Sequence, residues 1–191
     1  MSQAINKWLN KIGLTSHEIL MEDIINFKRN ISCIDNLIAV EQAIVFLERL
    51  KANKKIDDSE YKEIIEQMDA PNARGYDVFY NKNNRKIVAE LKGTIPCGKK
   101  QTTFGANQRD AIIKDLRGLL KTKNEKKYGQ LDGYDKYMVL FDFAKAAMED
   151  LLGKDKLTVT EKEEIKEQIT FIYISEKERQ TLVNRNIEFK F

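Results

Sequence analysis

The sequence predicts an α+β protein: a central mixed β-sheet flanked by helices, with a helical N-terminal segment. Three observations predict it. Residues 1–70 carry apolar side chains at helical spacing. Gly75 to Lys92, GYDVFYNKNNRKIVAELK, sets two alternating apolar runs around the polar stretch Asn81-Lys82-Asn83-Asn84-Arg85, which is the pattern of a β-hairpin. Beyond the hairpin, helical stripes alternate with two strongly apolar runs, and a helix that leads into such a run fits a crossover to a parallel strand.

The elements follow in order. Ile5, Trp8, Leu9 and Ile12 mark a first helix, stopped at Gly13. Ser16 to Lys28 forms a second. Asp35 caps a third that runs to about Leu50, with Leu37, Val40, Ile44 and Leu47 as its stripe. Asp57 to Met68 is a fourth, with acids at its N-terminus that favour the helix dipole. Asp69-Ala70-Pro71-Asn72 breaks the pattern before the hairpin. Gly93 to Gly105 is a polar, Gly-punctuated loop. Ala106 to about Lys121 is a helix with Ile112, Ile113, Leu116, Leu119 and Leu120 in its stripe. Tyr134 to Phe143 is a buried strand, Phe143 to Leu152 a helix ended by Gly153, and Leu157 to Thr160 an extended piece or cap before a helix over Glu161 to Lys166. Ile169 to Ile174 is another buried strand. Ser175 caps Glu176 to Asn184, with Glu178 completing a capping box, and Ile187 to Phe191 reads as an edge strand. No repeat or linker divides the 191 residues, so one domain is expected: 1–70 mostly helical, 75–143 the core, 144–191 the closing helices and strands.

Composition narrows the chemistry. Two cysteines, Cys33 and Cys97, are too few for a zinc cluster and read as buried or half-buried thiols in a reducing compartment. The single histidine, His17, sits at a helix start, which argues against histidine-dependent nucleases and Ser-His-Asp catalysis. No Gly-rich phosphate loop is present. Met1 to Leu20 has no continuous apolar core and no run approaches a membrane span, so a cytoplasmic protein is expected.

The hairpin carries the candidate site. Side chains alternate along a strand, so Val88, Glu90 and Lys92 share one face while Ile87, Ala89 and Leu91 share the other. On the preceding strand the same alternation sets Asp77 and Phe79 opposite Tyr76, Val78 and Tyr80. Pairing the strands gathers Asp77, Glu90 and Lys92. Glu-x-Lys occurs five times in this chain, but only Glu90-Leu91-Lys92 ends an apolar strand with an Asp on the strand before it.

Asp77 followed by Glu90-Leu91-Lys92 resembles the PD-(D/E)XK nuclease superfamily, the fold of many type II restriction endonucleases. The departure is Tyr76, which stands where that pattern places a proline before the aspartate. The resemblance spans roughly Leu37 to Phe143 in element order, and its specific part is the hairpin. It implies a restriction-endonuclease-like sheet and a magnesium-dependent DNA endonuclease, with manganese able to substitute. Asp77, Glu90 and the Leu91 carbonyl would hold the metal, and Lys92 would orient or deprotonate water. In such proteins a preceding helix often adds an acid; Glu41 is the better candidate here and Glu48 the other.

Charge is unevenly spread. Lys92 to Lys127 holds ten basic and three acidic residues, a net of +7 in a chain of net +3. A concentrated positive segment beside paired acids suits a phosphate-binding face. Lys99, Lys100, Lys114, Lys121 and Lys123 are its candidate DNA contacts. Asn107 and Gln108 are candidates for phosphate, the attacking water or adenine. The expected partner is double-stranded DNA, cut by a homodimer with one site per strand. A junction-resolving, repair or recombination nuclease, and a DNA-binding protein without activity, are the alternatives.

Overall fold

A computed structural model describes residues 38–68, 75–97, 102–154 and 156–178. The chain divides into two units, Met1–Ile38 and Ala39–Phe191. The elements named below belong to the second, the first helix beginning at its border. The helices expected before residue 38, with His17 and Cys33, and the edge strand expected at Ile187 to Phe191 lie outside the described residues.

Helix α1 covers 38–52 and helix α2 Asp58–Met68. The entry to α2 is fixed locally. Asp57 Oδ1 accepts from the backbone N–H groups of Ser59 and Glu60, and Glu60 Oε2 accepts from the Asp57 N–H, satisfying amide donors that the first turn leaves unpaired. Strands β1 (Val78–Lys82) and β2 (Arg85–Lys92) form the predicted antiparallel hairpin, with Lys82 opposite Arg85. The two residues between them, Asn83 and Asn84, take φ of 52° and 61°. Asparagine tolerates this left-handed region, and two such residues make a turn whose twist matches the strands.

Helix α3 (Ala106–Leu120) buries Ile112, Ile113, Leu116 and Leu119 of the stripe read from the sequence and half-buries Leu120. A one-turn helix, α4 (Glu125–Tyr128), occupies what reads in sequence as basic loop. Asn124 caps it by accepting from the Lys127 N–H, and Gly129 ends it at φ 68°. Strand β3 (Asp135–Phe141) follows, then a short 3₁₀ turn, helix α5 (Lys145–Gly153), helix α6 (Val159–Gln168) and strand β4 (Ile169–Ile174). Helix α6 starts two residues before the predicted position. Thr158 and Glu161 form a reciprocal capping box across that turn, which holds Val159 in the helix although its side chain is exposed. Ser175 and Glu178 make the predicted capping contacts.

The sheet order is β1-β2-β3-β4. The hairpin is antiparallel, and β3 and β4 are parallel to β2, so the sheet is mixed. Helices cover both faces. Val88, Met138 and Leu140 pack with Ile112 and Leu116 of α3, Met148 and Leu151 of α5 and Ile165 of α6. On the other face Phe46 of α1 meets Tyr137 edge to face at 5.1 Å. Between these layers β2 is buried on both faces from Ile87 to Leu91, a run that a parallel neighbour and two helical layers require to be apolar. Glu90 is the exception in that run, which makes it the residue the fold has to explain. No described helix is long and apolar enough to cross a membrane.

Candidate active site at the end of the hairpin

Strand alternation places Glu90 on the α3 face of the sheet with Val88, and its neighbour in register on β3 is Met138. Its carboxylate is only 2 % exposed. A buried carboxylate needs compensating partners, because leaving water costs several kcal/mol per ion. Two lysines supply them. Lys92 Nζ lies 3.5 Å from Glu90 Oε2, and Lys123 Nζ lies 2.5 Å from Glu90 Oε1. Both lysines also reach Asp115 of α3, Lys92 at 2.5 Å and Lys123 at 2.7 Å. Glu90, Lys92, Asp115 and Lys123 thus close a ring of alternating charge.

Asp77 stands at the mouth of this ring. Its Oδ2 accepts from the Leu91 N–H at 2.7 Å, tying it to the strand that carries Glu90 and Lys92. The residue is exposed. The expectation that Tyr76 lies opposite Phe79 does not hold. Strand β1 begins at Val78, and Gly75 to Asp77 bend rather than alternate, so Tyr76 stacks with Phe79 at 6.1 Å and joins the α3 side of the core.

The electrostatics follow from burial and from the three acids. Burial, and then the charges of Asp77 and Asp115, push the Glu90 carboxyl up to about 7 despite the two lysines. Burial works against the Lys92 ammonium, but the Asp115 and Glu90 charges outweigh it and raise Lys92 above its ordinary value. Lys123 is raised in the same way, burial being overcome by its bonds to Asp115 and Glu90. Burial alone would raise Asp115; the Lys92 charge and the Lys123 bond carry it below the ordinary carboxylate value.

The structure brings Asp77, Glu90 and Lys92 together as the sequence predicts. Lys123, expected on an open phosphate-binding face, has its ammonium inside the ring. Asp115 joins the site although its surrounding segment reads as basic. One signal for it exists in the sequence: Asp115 shares the stripe of Ile112, Leu116 and Leu119, where an acid has to be compensated. From α1 it is Gln42 that reaches the hairpin, its Nε2 donating to the Lys92 carbonyl at 3.0 Å. Gln42 is buried, and its Oε1 has no hydrogen-bond partner among the described residues. Glu41 is half-buried, and Glu48, also half-buried, lies 3.5 Å from Lys51 on its own helix.

The remaining candidates are dispersed. Lys114 is exposed on the outer side of α3, beside a cleft of about 350 Å³ lined with Asp110, Ile113, Arg117 and Lys156. Lys121 is exposed at the end of α3, and Asn107 is exposed at its start. Gln108 has structural work: its Oε1 accepts from the Gly105 N–H at 2.9 Å and its Nε2 donates to the Ile95 carbonyl at 3.1 Å. Cys97, expected to be at least half-buried, is exposed, because its segment pairs with Thr103 as an isolated bridge on the surface. Lys99 and Lys100 lie outside the described residues.

Asp77, Glu90 and Asp115 present carboxylate oxygens, the donor type that hard divalent cations take. Among the described residues no group of three acidic, cysteine or histidine side chains is arranged to hold a metal. Comparison with protein-family models, with curated proteins and with solved structures finds no match.

Proposed function

We propose that this chain is a magnesium-dependent endonuclease that hydrolyses phosphodiester bonds in double-stranded DNA, a type II restriction enzyme in its simplest form. One observation carries the reading. A buried glutamate, a lysine two residues on and an aspartate in the bend just before the paired strand meet at the end of a hairpin, on a strand otherwise apolar from Ile87 to Leu91. Burying Glu90 serves no packing purpose, since a leucine there would need no compensation.

Asp77, Glu90 and the Leu91 carbonyl would hold the magnesium ion, with Asp115 of α3 as an additional acid. When bound, the ion lowers the pKa of its water and offsets charge on the phosphate. Lys92, held by Asp115, orients the attacking water or the phosphate oxygen, and the charges of Asp115 and Glu90 keep it protonated. Lys114 and Lys121 give the exposed positive charge along α3 that positions a DNA backbone. A homodimer would supply one such site per strand.

A second reading rests on the ring itself. Its charges nearly neutralise one another, which also suits a protein that binds DNA without cutting it.

The test is incubation of the protein with magnesium and a long duplex of mixed sequence. Restriction predicts discrete bands whose ends share one short palindrome. Calcium, which accepts looser geometry, should allow binding without cutting. Cutting confined to four-way junctions or flaps would move the assignment to a resolving or repair nuclease, and degradation from ends to a recombination nuclease. No cutting of any substrate with magnesium or manganese, together with DNA binding indifferent to chelator, would favour the inactive reading.

A further inference from the structure

Lys123 is placed with more care than a surface lysine receives. Its backbone N–H donates to the Tyr76 hydroxyl at 2.9 Å, and that hydroxyl donates to the Gly118 carbonyl at 2.6 Å. Tyr76 is buried, so the segment after α3 is pinned to the helix from inside the core. From there the Lys123 stem crosses Gly118 so closely that a Cβ on that glycine would stand 2.7 Å from Lys123 Cγ and 2.8 Å from Cε. Gly118 is buried in the interior of α3, where glycine is unfavourable by up to about 1 kcal/mol relative to alanine, so the notch has a conformational cost. At the end of this track the ammonium sits 5.4 Å from the centre of the Tyr76 ring and bridges Glu90 Oε1 and Asp115 Oδ1.

That bridging position is the one a cation shared by two carboxylates takes. We propose that Lys123 is an internal counter-ion that holds the place of the divalent cation, and that metal binding has to displace its ammonium from between Glu90 and Asp115. The proposal rests on the metal-dependent reading above and adds to it. Three carboxylates and two ammoniums leave the metal-free cluster at a formal charge of −1. Glu90, almost wholly buried, thereby keeps two ammonium partners in the absence of metal. The consequence is competition: every contact that favours the seated ammonium weakens metal binding. Lys92 is not the displaced group, because its ammonium is held by Asp115 at 2.5 Å and lies farther from Glu90, at 3.5 Å.

The competition is measured by manganese binding to the full chain, followed through the paramagnetic resonance of free Mn²⁺, with thermal melting alongside. Lys123→Met keeps the stem and removes the charge. Gly118→Ala keeps the charge and pushes the stem out of its notch, and it stands as an independent variant should Lys123→Met not fold. Both should bind Mn²⁺ more tightly than the unmodified protein, by roughly tenfold or more for a displaced close ion pair. Both should also gain more in melting temperature from saturating Mn²⁺ than the unmodified protein does. Glu90→Gln should bind Mn²⁺ far more weakly. Unchanged or weakened binding in both lysine-track variants, with Glu90→Gln still impaired, overturns the displacement and leaves the metal site standing. Absence of Mn²⁺ binding in every protein, the unmodified one included, overturns both.

Discussion

Helix α3 carries the same ion pair twice, in two settings. On its inner side Asp115 lies 2.5 Å from Lys92, with side chains 13 % and 18 % exposed. On its outer side Asp110 lies 2.5 Å from Lys156, with side chains 62 % and 48 % exposed. Distance does not separate the two pairs; burial does. Water screens the outer pair and solvates either partner when the other is removed, so it adds little. On the inner side, removal of one partner strands a charge that water reaches only in part. The outer pairs of α3, including Arg117 with Glu161 at 2.7 Å, dress a surface. The inner ring holds charge in place where the proposed chemistry needs it.

The largest effects are expected on cleavage. Asp77→Asn and Lys92→Ala should each lower the single-turnover rate on duplex DNA by roughly 10² or more, since each removes a group that the metal or the phosphate requires. Asp110→Ala should leave the rate unchanged. Loss of activity in Asp110→Ala would mean that the two sides of the helix are not separate in function.

Stability comes next. Asp115→Ala leaves Glu90 as the one carboxylate in contact with the two ammoniums and should destabilise the fold by roughly 3 kcal/mol in denaturant melts. Asp110→Ala should melt with the unmodified protein. Equal losses from the two variants would show that burial is not the distinction.

Much of this contrast was not legible in the sequence, and the reason is physical. The hairpin and its Glu90 and Lys92 were readable because strand alternation is local, and the two-asparagine turn fixes the register. Asp115 and Lys123 lie more than twenty residues further along, and their meeting with Glu90 depends on how α3 docks on the sheet. A net charge of +7 over that stretch points to phosphate contact and carries no hint that one of its lysines turns inward. On α1 neighbouring positions differ by about 100° of rotation, and periodicity does not single out Gln42, which meets the strand end. Tyr76 reads as a strand residue until the bend at Gly75 to Asp77 is seen.

The two sides of α3 should also respond to pH with opposite signs. Glu161 is held down to about 2 by its bond to Arg117 and by the cap at Thr158. A lowered carboxyl contributes stability that is present above its ordinary value of 4.5 and lost as pH falls toward about 2. Glu90 is raised to about 7, so in the absence of metal its contribution is fully present below 4.5 and lost as pH rises through about 7. Melting curves of Glu161→Gln should flatten the acid limb, and those of Glu90→Gln the limb between pH 4.5 and 7. A single limb affected by both variants would contradict the assignment of one carboxylate to each.

The smallest effects belong to the exposed lysines. Lys114→Ala and Lys121→Ala should each reduce the salt dependence of DNA binding by roughly one counterion and leave the catalytic step alone. An unchanged salt slope would mean that this face of α3 points away from the DNA backbone.

The central claim is that Glu90 is buried at the strand end in order to hydrolyse DNA with a divalent cation. Its most direct measurement is the single-turnover cleavage of duplex DNA by the unmodified protein and by Glu90→Gln, side by side at saturating magnesium. Glu90→Gln is close in shape and loses only the charge. The account predicts cleavage by the unmodified protein, abolished by chelator, and a rate lower by roughly 10² or more in Glu90→Gln. Equal rates in the two proteins, or no cleavage by the unmodified protein with either magnesium or manganese, would contradict it.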